Sequence, residues 1–360
     1  MPKLTNLPLD LNTNGTKVSP DIAPLDKDFK IQNRRFLGNK YRLLDFIADV
    51  VQTKCGNYES FCDIFAGTGV VGHYFNNGRV KIISNDILYS SYRALRTFLG
   101  IINIDLNELE RKIDCLNQLT PTEENYFSIN YGDTFFTAEN ARRIGLIREN
   151  IDQISDSKDE RHALVTSLIY AADRVANTVG HYDAYRSKLD MTKPLRLLIP
   201  EIHPERNHLN EVYREDANNL IRKISPDVLY IDPPYNSRQY SDTYHLLENL
   251  ATWGKPLLYG KAKKMDRQQL KSQYCTKTAE EAFADLIENA KCNHILVSYN
   301  NTGRSKDSRS NARITDEGIC EILKSKGIVE VFEKKEKPFT TGKSDTKGYT
   351  ERVFYCKVRI

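Results

Sequence analysis

Ser60-Phe61-Cys62-Asp63-Ile64-Phe65-Ala66-Gly67-Thr68-Gly69-Val70 is a short apolar run that breaks into glycines and resumes with helical spacing as far as Asn76. The run predicts a buried strand, the glycines a tight turn at its carboxyl end, and 70–76 a crossover helix. Residues 81–87 repeat the pattern: a strand that ends at Asp86, then a helical stretch over 92–99. Strand, helix and strand in succession imply parallel pairing, because parallel neighbours need a long crossover. Far downstream, Val228-Leu229-Tyr230-Ile231 is a further apolar run, closed by Asp232-Pro233-Pro234-Tyr235. Prolines cannot extend a ladder of backbone hydrogen bonds, so the chain turns there. The fold these segments imply is α/β: a doubly wound, mostly parallel, Rossmann-like sheet with ligands at the carboxyl ends of its strands.

The rest of the chain fills in that frame. Residues 42–54 have helical spacing. Between 101 and 210 the patterns are largely helical, over 107–119, 141–154 and 160–177. Sheet rhythm returns at 212–215 and at the 227–232 strand. Helices over 244–250 and 279–290, a strand over 294–299 and a helix over 316–326 follow. An antiparallel hairpin, 328–333 with 351–358, closes the chain. Three units result: a flexible arm over 1–28, a catalytic domain made of 29–100 and 211–360, and a helical insertion over 101–210.

Composition sets the class. The chain has 360 residues, 40% hydrophobic and 28% charged, which suits a soluble protein with a large core. No apolar run approaches the ~18 residues of a membrane span, and the amino terminus does not resemble a secretory signal. The 7 cysteines are scattered without a C-x-x-C pair, the pattern of reduced thiols in a cytoplasm. The 7 histidines are equally dispersed, so no metal site is expected. Net charge is only +4, but its distribution is uneven. Residues 254–277 carry seven Lys/Arg against Asp266, and 302–314 carry Arg304, Lys306, Arg309 and Arg313 against Asp307. The first stretch, with Gly254, Gly260, Lys261, Lys263 and Lys264, reads as a mobile clamp for phosphates or as a merely solvated face.

The chemistry lies at the strand ends. Asp232, two fixed carbonyls and the Tyr235 ring suit an exocyclic amino group on a planar base: acceptors for its protons and a face for stacking. The glycine turn at 66–69 lets a ligand approach the backbone, and an acid such as Asp86, one strand on, commonly takes ribose hydroxyls. The turn lacks both G-x-G-x-x-G and the Walker lysine, so a nucleoside cofactor without pyrophosphate, S-adenosylmethionine, fits best.

Five segments occur in one order: Arg35-Phe36-Leu37-Gly38-Asn39-Lys40-Tyr41-Arg42-Leu43-Leu44, Asp63 to Gly69, Asn85-Asp86-Ile87, Asp216-Ala217-Asn218-Asn219-Leu220, and Tyr230 to Tyr235. The set resembles the Dam-type DNA adenine-N6 methyltransferases, including those of restriction–modification systems, over about 33–100 and 212–358. That resemblance implies a donor site at Phe36, Gly38, Asn39, Lys40, Asp63, Phe65, Ala66, Gly67, Thr68, Gly69, Asp86, Ile87, Asp216 and Ala217. Phe36 would be an apolar wall where tryptophan is often found, and Lys40 would face the methionine carboxylate. Asp86 would take the ribose hydroxyls, and Asp216 would lie near the cofactor adenine. Asp232 would be shared with the target, and Asp232, Pro233, Pro234 and Tyr235 would be catalytic. The target adenine would be extruded from the duplex to reach them.

Related enzymes read their target with the segment that falls here at 101–210. Within it, Arg174, Asn177, His181, Tyr182, Tyr185, Arg186 and Lys188 cluster. Arg and Asn can read base edges, and Tyr can stack or wedge; a polar surface loop is the plain alternative. Ser298, Tyr299 and Asn300 would line the base pocket or simply pack, and His245 reads as structural. The expected activity is therefore S-adenosylmethionine-dependent methylation of adenine N6 in double-stranded DNA, with a cognate restriction endonuclease as a partner. Cytosine N4, RNA adenine, a glutamine amide, or a DNA-binding relative without catalysis are the alternatives. Asp rather than Ser at position 232 favours adenine.

Overall fold

The strands are β1 (Asp28–Phe29), β2 (Ser60–Asp63), β3 (Lys81–Asn85), β4 (Ile199–Pro200), β5 (Glu211–Tyr213), β6 (Val228–Ile231), β7 (His294–Asn300), β8 (Gly327–Lys335) and β9 (Thr350–Val358). This computed structural model describes residues 27–190, 193–300, 312–335 and 350–359. Nearly all of the 1–28 arm, Arg304, Lys306, Arg309 and the loop joining the final hairpin lie outside the described residues.

Seven strands form one sheet in the order β5-β3-β2-β6-β7-β9-β8. From β5 to β7 every pairing is parallel, and β9 runs antiparallel to both β7 and β8. The α/β reading and its terminal hairpin therefore hold. On leaving β2 the chain builds outward through β3, and β6 is laid on the opposite side. The winding thus reverses between β2 and β6, which leaves a crevice at their carboxyl ends. The glycine turn follows β2, and Asp232-Pro233-Pro234-Tyr235 follows β6.

Both central strands are covered on both faces, which is why their sequences lack polar alternation. Phe61, Val228 and Tyr230 enter one core, and Cys62, Leu229 and Ile231 enter the other. Helices Leu44–Lys54, Tyr89–Leu99, Lys158–Val175 and His245–Thr252 contribute to the first core; Ala279–Asn289 and Asp316–Lys326 contribute to the second.

The segment 101–210 is helical at Leu106–Gln118, Tyr126–Tyr131, Ala138–Ile154 and Lys158–Val175. Residues 163–173 are buried on every side of the last helix, as expected of a helix apolar all round. It packs on Tyr89–Leu99, where the Thr97 and Thr166 hydroxyls lie 3.0 Å apart. β4 then pairs with β1 beside the sheet.

Two elements differ from their sequence patterns for local reasons. Helix Tyr126–Tyr131 was not anticipated, because Phe127, Ile129 and Tyr131 alternate as in a strand; reciprocal capping between Asn125 and Ser128 selects helix instead. Helix Tyr89–Leu99 begins before its hydrophobic periodicity does, because a distant carboxylate caps it. Glu248 accepts the backbone N–H groups of Tyr89 and Ser90 at 2.9 and 2.6 Å.

Candidate active site

Asp63 ends β2, and the chain then turns through Ala66–Gly69. The Ala66 N–H donates to the Asn85 carbonyl at 2.8 Å, and Gly69 N–H to Ala66 at 2.7 Å. Gly67 has φ +54°, and a Cβ there would stand 2.9 Å from the Phe36 ring. Only glycine gives that backbone freely and leaves room for the ring. Asp86 braces the turn from the next strand: one oxygen accepts Gly67 N–H at 2.9 Å and the other accepts Leu88 N–H at 2.8 Å. Burial raises the Asp86 carboxyl to about 7 in spite of those two hydrogen bonds.

Phe36 lies parallel to Tyr244, with ring centres 4.6 Å apart, and against Tyr240 at 5.3 Å. The Leu37 N–H donates to the Tyr244 hydroxyl at 2.6 Å, and the Tyr240 hydroxyl donates to the Leu37 carbonyl at 3.2 Å. The wall is therefore held by the helical segment that follows the proline loop. Between it and the glycine turn lies a cleft with about 930 Å³ of space, counted out to its open mouth. Every residue assigned to the donor by resemblance lines this cleft except Gly69, which caps the helix behind it.

Asp232 stands on the far wall. One oxygen lies 2.9 Å from the Lys40 ammonium, and the other accepts from the Tyr235 hydroxyl. Lys40 is 5% exposed and donates also to Tyr235 Oη at 2.5 Å and to the Gly38 carbonyl at 3.0 Å. The cation expected to face a donor carboxylate thus sits on Asp232. Burial raises the Asp232 carboxyl, while Lys40 and the Tyr235 hydrogen bond pull it down. Asp63 is raised further, first by burial and then by Asp232 and Asp86; its Oδ1 is buried without a partner.

Asp63, Asp86 and Asp232 therefore converge on a cleft that Glu215, Asp216 and Lys271 also line, and Lys40 is the ion-pair partner of Asp232. Such a cleft favours a cationic ligand bearing hydroxyls, and the orphaned Asp63 oxygen needs a donor such as an ammonium. These residues fit a methyl donor built as an amino acid joined to a nucleoside.

Pro233 and Pro234 are buried, with Pro234 on the cleft. The Tyr235 carbonyl accepts from the Tyr299 hydroxyl at 3.2 Å and from Arg313 N–H at 2.8 Å. The Tyr235 ring meets Tyr299 edge to face at 4.8 Å. Tyr299 and Ser298 are buried, with Ser298 accepting from Tyr230 at 2.8 Å, so both support the loop from behind. The side chain of Asn300 lies outside the description. Asp216 lines the cleft, but its carboxylate also caps helix Ala217–Leu220 through Asn218 and Asn219 N–H. His245 is structural: buried, with ring nitrogens on the Asp242 and Ala262 carbonyls at 2.9 and 2.8 Å.

The segment 174–188 divides. Arg174, Arg186 and Lys188 are exposed and Tyr185 is half-buried. Asn177 and Tyr182 are corrections: they are 1% and 0% exposed. The Asn177 amide nitrogen donates to the Thr134 and Arg186 carbonyls, both at 3.0 Å, its Oδ1 is buried, and the Tyr182 hydroxyl donates to Asp173 at 3.0 Å. Neither side chain can meet a base edge from there. The basic stretch also departs from a mobile clamp. Tyr259 and Lys264 form a reciprocal backbone pair, and Lys264 is anchored to Asp183 at 2.6 Å, so the exposed cation at this turn is Lys261, with Lys263 half-buried.

Part of the same stretch lines the cleft, which its charge did not suggest. Leu270, Lys271, Ser272 and Tyr274 lie along it, tied down where the Gln239 amide exchanges two hydrogen bonds with the Ser272 backbone, at 3.0 and 2.8 Å.

A reversed parallel sheet, a glycine turn braced by an acid and a carboxylate closed off by two prolines define a Rossmann-like methyltransferase. The chain belongs to the D12 class N6 adenine-specific DNA methyltransferases, whose family model matches residues 36–309. It is 36% identical over 352 residues to the Type II methyltransferase M.FokI of Planomicrobium okeanokoites, covering 91% of this chain and 53% of that one. It is 33% identical to the modification methylase StsI of Streptococcus sanguinis, covering 90% and 52%. With the Type II methyltransferase M.NlaIII of Neisseria lactamica the identity is 34%, covering 74% and 84%. The chain thus spans about half the length of the first two relatives.

Proposed function

We propose that this chain is a site-specific DNA methyltransferase that moves a methyl group from S-adenosylmethionine to the N6 amino group of adenine in double-stranded DNA. The observation that carries the reading is the shared cleft: the glycine turn and Asp86 open onto the same space as Asp232 and Pro234, in a chain of an adenine-N6 family. Relatives named as Type II methyltransferases and a modification methylase support a restriction–modification role; a cognate endonuclease and a cytoplasmic setting belong to the same proposal.

S-adenosylmethionine, when bound, supplies an electrophilic methyl group. The protein holds the two reactants in line. Gly67 and Asp86 receive the nucleoside and Phe36 walls it, while the free oxygen of Asp63 takes an ammonium. Asp232 and the Pro233 carbonyl accept hydrogen bonds from the two N–H groups of the target amino group, and the one proton that the methylated nitrogen sheds leaves by way of the Asp232 carboxylate. An adenine nitrogen is a weak nucleophile because its lone pair is delocalised into the ring. Two acceptors bias it toward a tetrahedral form and stabilise the positive charge that develops on it. To take Asp232 Oδ1, the amino group displaces the Tyr235 hydroxyl, and the movement turns the Tyr235 ring toward the base. No covalent enzyme intermediate is required; orientation and electrostatics supply the rate.

The base reaches this pocket extruded from the duplex, since its amino group is not open to in-line attack within the helix. Arg174, Tyr185, Arg186, Lys188, Lys261 and Lys263 contact DNA around it. Long-read sequencing of DNA from cells expressing the chain tests the reading. Modified adenines at one recurring short motif support it; modified cytosines, or none, refute it.

A further inference from the structure

Asp173 lies in the last turn of helix Lys158–Val175 and is 2% exposed. An acid at the carboxyl end of a helix opposes the helix dipole, and a buried carboxylate needs partners. Helix stability alone therefore does not account for it. Its partners come from two other places. Oδ2 accepts the Arg35 backbone N–H at 2.8 Å, the Arg35 guanidinium donates to the Asp173 carbonyl, and Oδ1 accepts the Tyr182 hydroxyl at 3.0 Å.

Each partner leads to a different part of the machinery. Arg35 precedes Phe36, the ring that presses on Gly67 and walls the donor cleft. Tyr182 stands inside the segment that bears Arg174, Arg186 and Lys188, and its N–H donates to the Thr243 carbonyl at 2.8 Å. The next residue, Tyr244, stacks on Phe36 and receives Leu37 N–H. Asp173, Arg35–Leu37, Tyr182 and Thr243–Tyr244 therefore close a buried ring of contacts joining the DNA-facing segment, the donor wall and the element after the proline loop.

We propose that Asp173 is a positioning residue serving both ligands: one carboxylate oxygen sets the donor wall and the other sets the DNA-facing loop. The proposal deepens the methyltransferase reading and rests on it.

The two oxygens allow a test in two halves. In Asp173→Asn the charge facing the Arg35 guanidinium, Nε to Oδ2 3.5 Å, is lost, and the Tyr182 hydroxyl must turn from donor to acceptor to meet the amide N–H₂. In Tyr182→Phe the Arg35 contact is intact and only the loop side is released. Calorimetry with S-adenosylhomocysteine on the DNA-free protein reads the donor side. Expected is about a tenfold loss of affinity in Asp173→Asn and a change within about twofold in Tyr182→Phe, as for one buried hydrogen bond to a charged group. Steady-state rates on unmethylated plasmid DNA read the other side. Both variants are expected to raise KM for DNA, with kcat changed less than KM.

Amide exchange of Arg35 should accelerate in Asp173→Asn alone, a readout that a general loss of packing would not confine to one peptide. If Asp173→Asn fails to fold, Tyr182→Phe still decides, by raising KM for DNA while sparing donor affinity. The proposal is overturned by a folded Asp173→Asn with wild-type donor affinity, or by a Tyr182→Phe that weakens the donor as much as DNA. A wild-type protein that binds no S-adenosylhomocysteine would instead overturn the methyltransferase reading itself.

Discussion

Asp86 shapes the glycine turn through Gly67 N–H, and in the proposed reading its remaining lone pairs take a ribose. Because burial holds its carboxyl at about 7, the group gains a proton as pH falls through that value. The protonated form keeps fewer acceptor sites and no charge. Donor affinity should therefore fall as pH drops from about 8 to 6, by at most about tenfold per unit below the midpoint. Calorimetric titration with S-adenosylhomocysteine across that range checks this, and a flat profile contradicts it. Lys40 gives a second prediction. It lowers the Asp232 carboxyl against the burial that raises it, so Lys40→Met leaves Asp232 harder to ionise. The acid limb of the pH–rate profile of the variant should move to higher pH, and a shift to lower pH or none at all would remove Lys40 from the account.

The turn at 257–264 is a folded element whose lysines are unequal. Lys264 is an ion-pair partner of Asp183, whereas Lys261 is exposed and Lys263 half-buried. Replacing Lys261 and Lys263 by Ala should weaken DNA binding on all sequences alike and reduce the slope of log K against log salt by about one to two. Binding measured from low to moderate salt decides it; an unchanged slope shows that the turn does not touch phosphates. This element also marks how far the sequence could be read. Strands β2, β3, β6 and β7 and the turns that follow β2 and β6 were legible, because runs buried on both faces and proline or glycine stops are local signals. Burial of Asn177 and Tyr182 was not, since polar side chains inside a protein are selected by partners that the fold supplies, such as the Thr134 carbonyl, 43 residues from Asn177, and the Asp173 carboxylate that Tyr182 meets across a loop. The cleft-lining role of Ser272 was hidden likewise: a basic stretch signals charge, while the Gln239 amide that pins it is 33 residues away.

The sheet reverses its winding between β2 and β6, and this brings two unrelated turns to one crevice, while helix Lys158–Val175 of the 101–210 segment packs on Tyr89–Leu99 and His245–Thr252. Charge concentrates there: Asp63, Asp86 and Asp232 with Lys40 among them. In the proposed reading the arrangement joins a cation-seeking donor site to an acceptor for an amino group, and its consequence is a single product. The decisive measurement is nucleoside analysis of plasmid DNA after incubation with methyl-labelled S-adenosylmethionine, using wild type and Asp232→Ala side by side. Label should appear in N6-methyldeoxyadenosine with the wild-type protein. It should fall by at least about a hundredfold with the variant, the scale for losing one preorganised hydrogen-bonding group from a site where charge develops, while DNA binding persists. Label on cytosine, or undiminished N6-methyldeoxyadenosine from Asp232→Ala, would contradict the account.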